Sequence, residues 1–276
     1  MAKKFQAYVD GRRSGDPNLL VVAGYVAPAE VWLDFSEKWQ EQLDHARLPY
    51  FKMSEMTSRM EVAAWFYRLI EESKITAAIS CAVRTDQLKK AIEEYSWPVA
   101  VTGLDKIKNP YYFAFKAITD IVAQYQDQLG IDEPVDFVFD DQSESEAVKG
   151  LWTLIKLSSA PEYRKNMGAE PAHKSDTDVK PLQAADLWAW WVRKWCREGV
   201  LDWSQKLPFM WVAKRDIRRL HVDFYERDFI VELDRAFRPE AMARWNIADP
   251  VGTLKELERR ELGIPMTLPL IPGGTQ

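Results

Sequence analysis

Two kinds of apolar spacing divide the first 200 residues. Short runs that are continuous or alternate in polarity predict strands, and runs repeating every three or four residues predict helices. Residues 4–10 end in Phe5-Gln6-Ala7-Tyr8-Val9-Asp10, and residues 19–26 read Leu19-Leu20-Val21-Val22-Ala23-Gly24-Tyr25-Val26. Both are rich in the β-branched and aromatic side chains that suit a pleated, buried surface. The stretch between them holds Gly11, Gly15, Asp16, Pro17 and Asn18, so the two strands are expected to form a hairpin. Residues 75–83 and 134–140 predict two further strands. Behind Pro28, the spacing of Trp32, Phe35, Trp39 and Leu43 predicts an amphipathic helix, and further helices are expected near 62–71, 85–95, 110–129, 145–157 and 181–197. Residues 158–180 carry little periodic signal, and strand-like segments thin out after residue 200.

This alternation predicts an α/β domain: a mixed sheet with antiparallel first strands and later parallel strands, flanked by helices, with helical insertions and a C-terminal extension. A chain of 276 residues is long enough for one large core over 1–200 and an extension over 201–276 packed against it. The proline- and glycine-bearing tail 265–276 is expected to be poorly ordered.

Composition narrows the function only by exclusion. The net charge is −5 and the pI about 5.5, so no chain-wide basic surface is available to hold nucleic acid by phosphate neutralisation alone. Any such binding must be local, and the cluster Lys214, Arg215, Arg218 and Arg219 is one candidate patch. No run of eighteen apolar residues appears and the start Met1-Ala2-Lys3-Lys4 leads into a strand, so neither a membrane span nor a secretory signal is expected, and the protein is assigned to the cytoplasm. Cys81 and Cys196 are too few for a disulfide framework or a metal cluster and are expected to be reduced and structural. The 12 tryptophans resemble base-stacking platforms by number alone, but their helical spacing assigns them to core packing.

Three aspartates stand where acids are least expected. Asp10 and Asp140 each close an apolar strand, and Asp186 lies inside the helix Pro181-Leu182-Gln183-Ala184-Ala185-Asp186-Leu187-Trp188, on the face of Leu182, Ala189 and Trp190. Buried carboxylates need compensation, most simply a bound cation. Each also has a structural alternative. Asp10 suits the start of a turn, Asp140 the N-cap of the next helix with Asp141, Ser143 and Ser145 as rivals, and Asp186 an ion pair with Arg193.

The segments Tyr8-Val9-Asp10, Val22-Ala23-Gly24-Tyr25 with Trp32 to Trp39, Phe51-Lys52-Met53, Phe137-Val138-Phe139-Asp140-Asp141 and Leu182-Gln183-Ala184-Ala185-Asp186-Leu187 occur in the order seen in the bacterial domain of unknown function 3800 family, which the chain resembles over roughly residues 5–197. The resemblance implies a ribonuclease H-like fold in which Asp10, Asp140 and Asp186 converge on divalent metals. The family usually continues its first aspartate as Asp-Glu-Ser-Gly, whereas here Gly11-Arg12-Arg13-Ser14-Gly15 follows, so the adjacent glutamate is absent. Asp141 and Glu55 are the candidate replacements.

Phosphodiester hydrolysis needs an activated water and neutralised phosphate charge, and two Mg²⁺ or Mn²⁺ ions roughly 3.5–4 Å apart supply both. Mg²⁺ takes few carboxylates and keeps several waters, so three aspartates suffice in number. In this scheme Asp10 bridges the metals, Asp140 holds one and Asp186 the other. Lys52, His173 and Lys174 are candidate phosphate contacts. The expectation is a metal-dependent nuclease acting on nucleic acid. Its alternative is a catalytically degenerate scaffold that binds nucleic acid or protein, with a protein partner or a homo-oligomer left open.

Overall fold

The computed structural model describes residues 4–12, 16–97, 108–140, 151–199, 208–209, 212 and 217–237, with single positions at 252, 255 and 259. In chain order, the described elements are β1 (Phe5–Arg12), β2 (Leu19–Pro28), α1 (Ala29–Ala46), a 3-10 turn (Met53–Glu55), α2 (Met60–Glu72), β3 (Ala77–Arg84) and α3 (Thr85–Glu94). Then follow α4 (Pro110–Gln124), α5 (Gln126–Leu129), β4 (Val135–Asp140), α6 (Leu151–Ser158), α7 (Pro161–Arg164), β5 (Ala172–Lys174), α8 (Lys180–Arg197), β6 (Arg218–Phe224) and α9 (Glu226–Phe237). Pro28 is the N-cap of α1, and the long helix expected over 110–129 breaks at Tyr125 into α4 and α5.

One six-stranded mixed sheet runs β5-β4-β1-β2-β3-β6. The β1–β2 and β2–β3 pairs are antiparallel, while β4 joins β1, β5 joins β4 and β6 joins β3 in parallel. The expected α/β class and its antiparallel-then-parallel order are therefore present. Two strands escaped the sequence pattern. β5 is three residues long with an exposed, polar pattern, and β6 alternates arginine and histidine with apolar residues. β6 supplies an edge strand of the core sheet from the segment assigned to a C-terminal extension. The tail 265–276 lies outside the described residues.

Helices cover both faces, which is why β2 is buried at every position and reads as a continuous apolar run. Its side chains still alternate: Leu20, Val22 and Val26 enter one core, packed by α3, α4, α6 and α9, and Leu19, Val21, Ala23 and Tyr25 enter the other, packed by α1, α2 and α8. Gly24 permits the β1–β2 contact, since a Cβ there would run into the Tyr8 carbonyl. Trp32, Trp39, Trp188, Trp191 and Trp195 are all buried in the second core, as their spacing predicts. No described helix is long and apolar enough to cross a membrane. Cys81 and Cys196 are free and buried.

Candidate functional site

Strand parity and register place two of the three aspartates side by side. In β1, Phe5, Ala7 and Val9 enter the first core, so Gln6, Tyr8 and Asp10 point to the opposite face. In β4, Val135, Phe137 and Phe139 enter the first core, and Asp136, Val138 and Asp140 take the other face. Val9 pairs with Phe139 in the parallel β1–β4 ladder. Asp10 and Asp140 therefore follow at the same level on neighbouring strands, at their carboxyl ends and on one face. Asp10 is 1% exposed. Helix α8 packs on β1 and β2 over this face and brings Asp186, 2% exposed, into the same layer.

Backbone amides orient two of these carboxylates. Asp140 Oδ1 accepts the Asp176 N–H at 3.0 Å, and Asp186 Oδ2 accepts the Met53 N–H at 2.6 Å. The second bond is at the short end of the range for an amide on a carboxylate. The two donors come from different loops, 175–179 and 51–53, and Gln183 braces both. Fully buried on α8, Gln183 accepts Trp39 Nε1–H at 2.8 Å and the Phe51 N–H at 3.0 Å. Its amide Nε2 donates to the Asp176 carbonyl at 2.8 Å. Lys52 closes the arrangement with an ion pair to Asp176. The Leu182-Gln183-Ala184-Ala185-Asp186 run thus has a physical reason: Gln183 fastens both loops, and Asp186, three residues on along the same helical face, fastens the 51–53 loop.

The remaining candidates separate. Glu55 is exposed on the 3-10 turn and accepts the Tyr50 hydroxyl at 3.0 Å. His173 stacks on Phe139, with ring centroids 6.1 Å apart, which turns it toward the first core and away from the aspartates. Lys174 pairs with Asp140 in the β4–β5 ladder and is exposed on the aspartate side. Asp141 lies outside the described residues. Of the basic cluster, Arg219 is no phosphate ligand: it donates to Glu71 Oε1 at 3.0 Å and to the Tyr67 hydroxyl at 3.1 Å, with its guanidinium over the Trp188 ring at 5.8 Å. Arg218 donates to Gln128, and Lys214 and Arg215 fall outside the described residues. Sequence reasoning missed Asp176 and the bracing role of Gln183. Asp176 sits in the polar stretch Lys174-Ser175-Asp176-Thr177-Asp178, where nothing in the spacing distinguishes one acid from the next.

Among the described residues, no three His, Cys, Asp or Glu side chains form a group that would hold a metal ion. Asp10 and Asp140 stand level on one face by strand register, with α8, the helix that carries Asp186, packed over it.

No family model, curated protein or solved structure matches this chain. The site is therefore read from its own chemistry.

A second concentration of charge lies across the sheet. A cavity of about 430 Å³ is lined by Lys116, Asp120, Tyr163, Phe224 and Glu232 among others. The Lys116 ammonium is buried between Asp120 and Glu232, the latter at 3.3 Å, and Ser159 donates its hydroxyl to Asp120 at 3.2 Å. Lys116 is thus shared between two carboxylates within the fold. Burial raises the Asp120 carboxyl above its ordinary range against the pull of Lys116.

Proposed function

We propose that the Asp10–Asp140–Asp186 face is the acidic site of a divalent-cation-dependent phosphodiesterase acting on nucleic acid, on a ribonuclease H-like fold of the domain of unknown function 3800 type. The observation that supports this reading best is the level, same-face placement of Asp10 and Asp140 at the carboxyl ends of the parallel pair β1–β4, beneath the helix that carries Asp186. Ligands bind preferentially at the carboxyl ends of strands in open α/β sheets. Carboxylates that ligate metals are themselves held by hydrogen bonds, and the amides of Asp176 and Met53 hold Asp140 and Asp186 in that manner. A bound Mg²⁺ or Mn²⁺ would supply charge neutralisation and an activated water. The chain's own residues orient the acids, and Lys174 offers an exposed ammonium beside Asp140. We place this activity in the reducing cytoplasm, where free Cys81 and Cys196 persist.

A second reading, a degenerate scaffold that binds nucleic acid or protein without cleaving it, is favoured by the lack of a three-ligand group among the described residues. One experiment separates the two. Mn²⁺ and Mg²⁺ are titrated into the wild type and Asp186→Asn, and the same preparations are assayed on labelled single- and double-stranded DNA and RNA. Cation binding and cleavage that both fall with Asp186→Asn support the enzyme. A wild type that binds no cation, even with nucleic acid present, leaves the scaffold.

A further inference from the structure

We propose that Lys52 and Asp176 are the positioning pair of this acidic site, setting the orientation of Asp140 and Asp186 through the two loops they join. The inference rests on the acidic-site reading for its functional consequence, while the tether itself stands on geometry alone.

The connections form a closed circuit. Asp140 accepts the amide of Asp176, the Asp176 carboxylate pairs with Lys52, the next amide along, that of Met53, donates to Asp186, and α8 and the sheet complete the ring. Positions 52 and 176 are 124 residues apart in the chain, so nothing local holds their loops in register. Gln183 braces the same two loops from the buried side through neutral bonds to the Phe51 amide and the Asp176 carbonyl. The ion pair is the solvent-facing link, with side-chain exposures of 22% for Lys52 and 10% for Asp176. That degree of burial removes much of the screening that makes open surface pairs weak. It still leaves the lysine within reach of solvent and of an approaching phosphate. Asp176 is thus no spare acid. Its backbone N–H, carbonyl and carboxylate each meet a different neighbour, and all three contacts bear on the orientation of a site aspartate.

The test uses the full chain with Lys52→Met, Asp176→Asn and the charge exchange Lys52→Asp/Asp176→Lys. Amide hydrogen exchange is followed at Met53 and Asp176, with β2 amides reporting that the fold is intact, and Mn²⁺ binding is measured by titration. The expected result is about tenfold or greater acceleration of exchange at both loop amides in each single variant, with β2 unchanged and protection regained in the charge exchange. Mn²⁺ affinity should fall by about ten- to a hundredfold in the single variants, the scale for groups that orient metal ligands, and recover in the exchange. Wild-type protection at both amides in the single variants would overturn the proposal. So would loss of protection that the charge exchange fails to restore, because the pairing itself would then not be the cause. If the wild type binds no Mn²⁺ while the exchange pattern holds, the enzyme reading fails and the positioning pair stands.

Discussion

The face of the sheet covered by α1, α2 and α8 buries carboxylates at both of its ends and compensates them differently. At the β6 end, Glu71 is matched by a full opposite charge: Arg219 and the Tyr67 hydroxyl both reach Glu71 Oε1, and the guanidinium rests over Trp188. At the β1–β4–β5 end, Asp140 takes a backbone amide from the 175–179 loop and Asp186 one from the start of the 3-10 turn at Met53. A buried arginine saturates its carboxylate and locks it. An amide contributes a partial charge and a direction, the kind of hydrogen bond that orients a metal-ligating carboxylate. The first arrangement serves the fold, and the second suits a site.

The largest effect that sharpens this contrast is expected from Arg219→Met. It strands a carboxylate that is 2% exposed and should cost about 3–5 kcal/mol in denaturant-induced unfolding. Gln183→Leu comes next. It leaves the Trp39 indole N–H and the Phe51 amide without their acceptor and should cost about 3 kcal/mol by the same measurement. Asp186→Asn should cost only about 1 kcal/mol, because asparagine keeps an acceptor for the Met53 amide. In the proposed reading it lowers cation-dependent cleavage by about a hundredfold. An Asp186→Asn loss in stability as large as that of Arg219→Met would erase the distinction between the two ends.

Near neutral pH the smallest effect is that of the buried thiols, which emerges only in alkali. Burial pushes the Cys196 thiol up to about 12 from an ordinary 9.0 and raises Cys81 and Tyr25 well above their usual values. Each raised group favours the folded state fully below its unfolded pKa, and that contribution is lost as pH rises through the folded value. Stability should therefore decline from about pH 9 upward. Cys196→Ala should make the decline shallower by at most about 1.4 kcal/mol per pH unit. Unfolding titrations between pH 7 and 11 measure the slope, and an unchanged slope in Cys196→Ala would remove the thiol from the account.

Much of the fold was legible because apolar periodicity reports burial directly. β2 is covered on both faces and reads as an unbroken apolar run, and α1 shows its buried Trp32, Phe35, Trp39 and Leu43 at helical spacing. β5 and β6 were not legible, since an edge strand gains its pairing from a neighbour and needs little apolar patterning of its own. The acids were legible one at a time, as charges inside apolar segments. His173 read as a phosphate contact because polarity in sequence does not reveal which face of an edge strand a ring takes. Arg219 read as part of a surface patch because its partner, Glu71, is 148 residues away.

The sequence by itself determined the order of β1 to β4 and the main helices between them, the buried tryptophans and the unusual positions of Asp10, Asp140 and Asp186, all of which follow from local spacing and the cost of burying charge. Only the tertiary structure decided that Asp10 and Asp140 stand level on one face, that Gln183 and the Lys52–Asp176 pair fasten two distant loops to the acids, and that Arg219 is spent on Glu71. Those relations depend on strand register and on contacts between residues more than a hundred positions apart, and no local pattern encodes them.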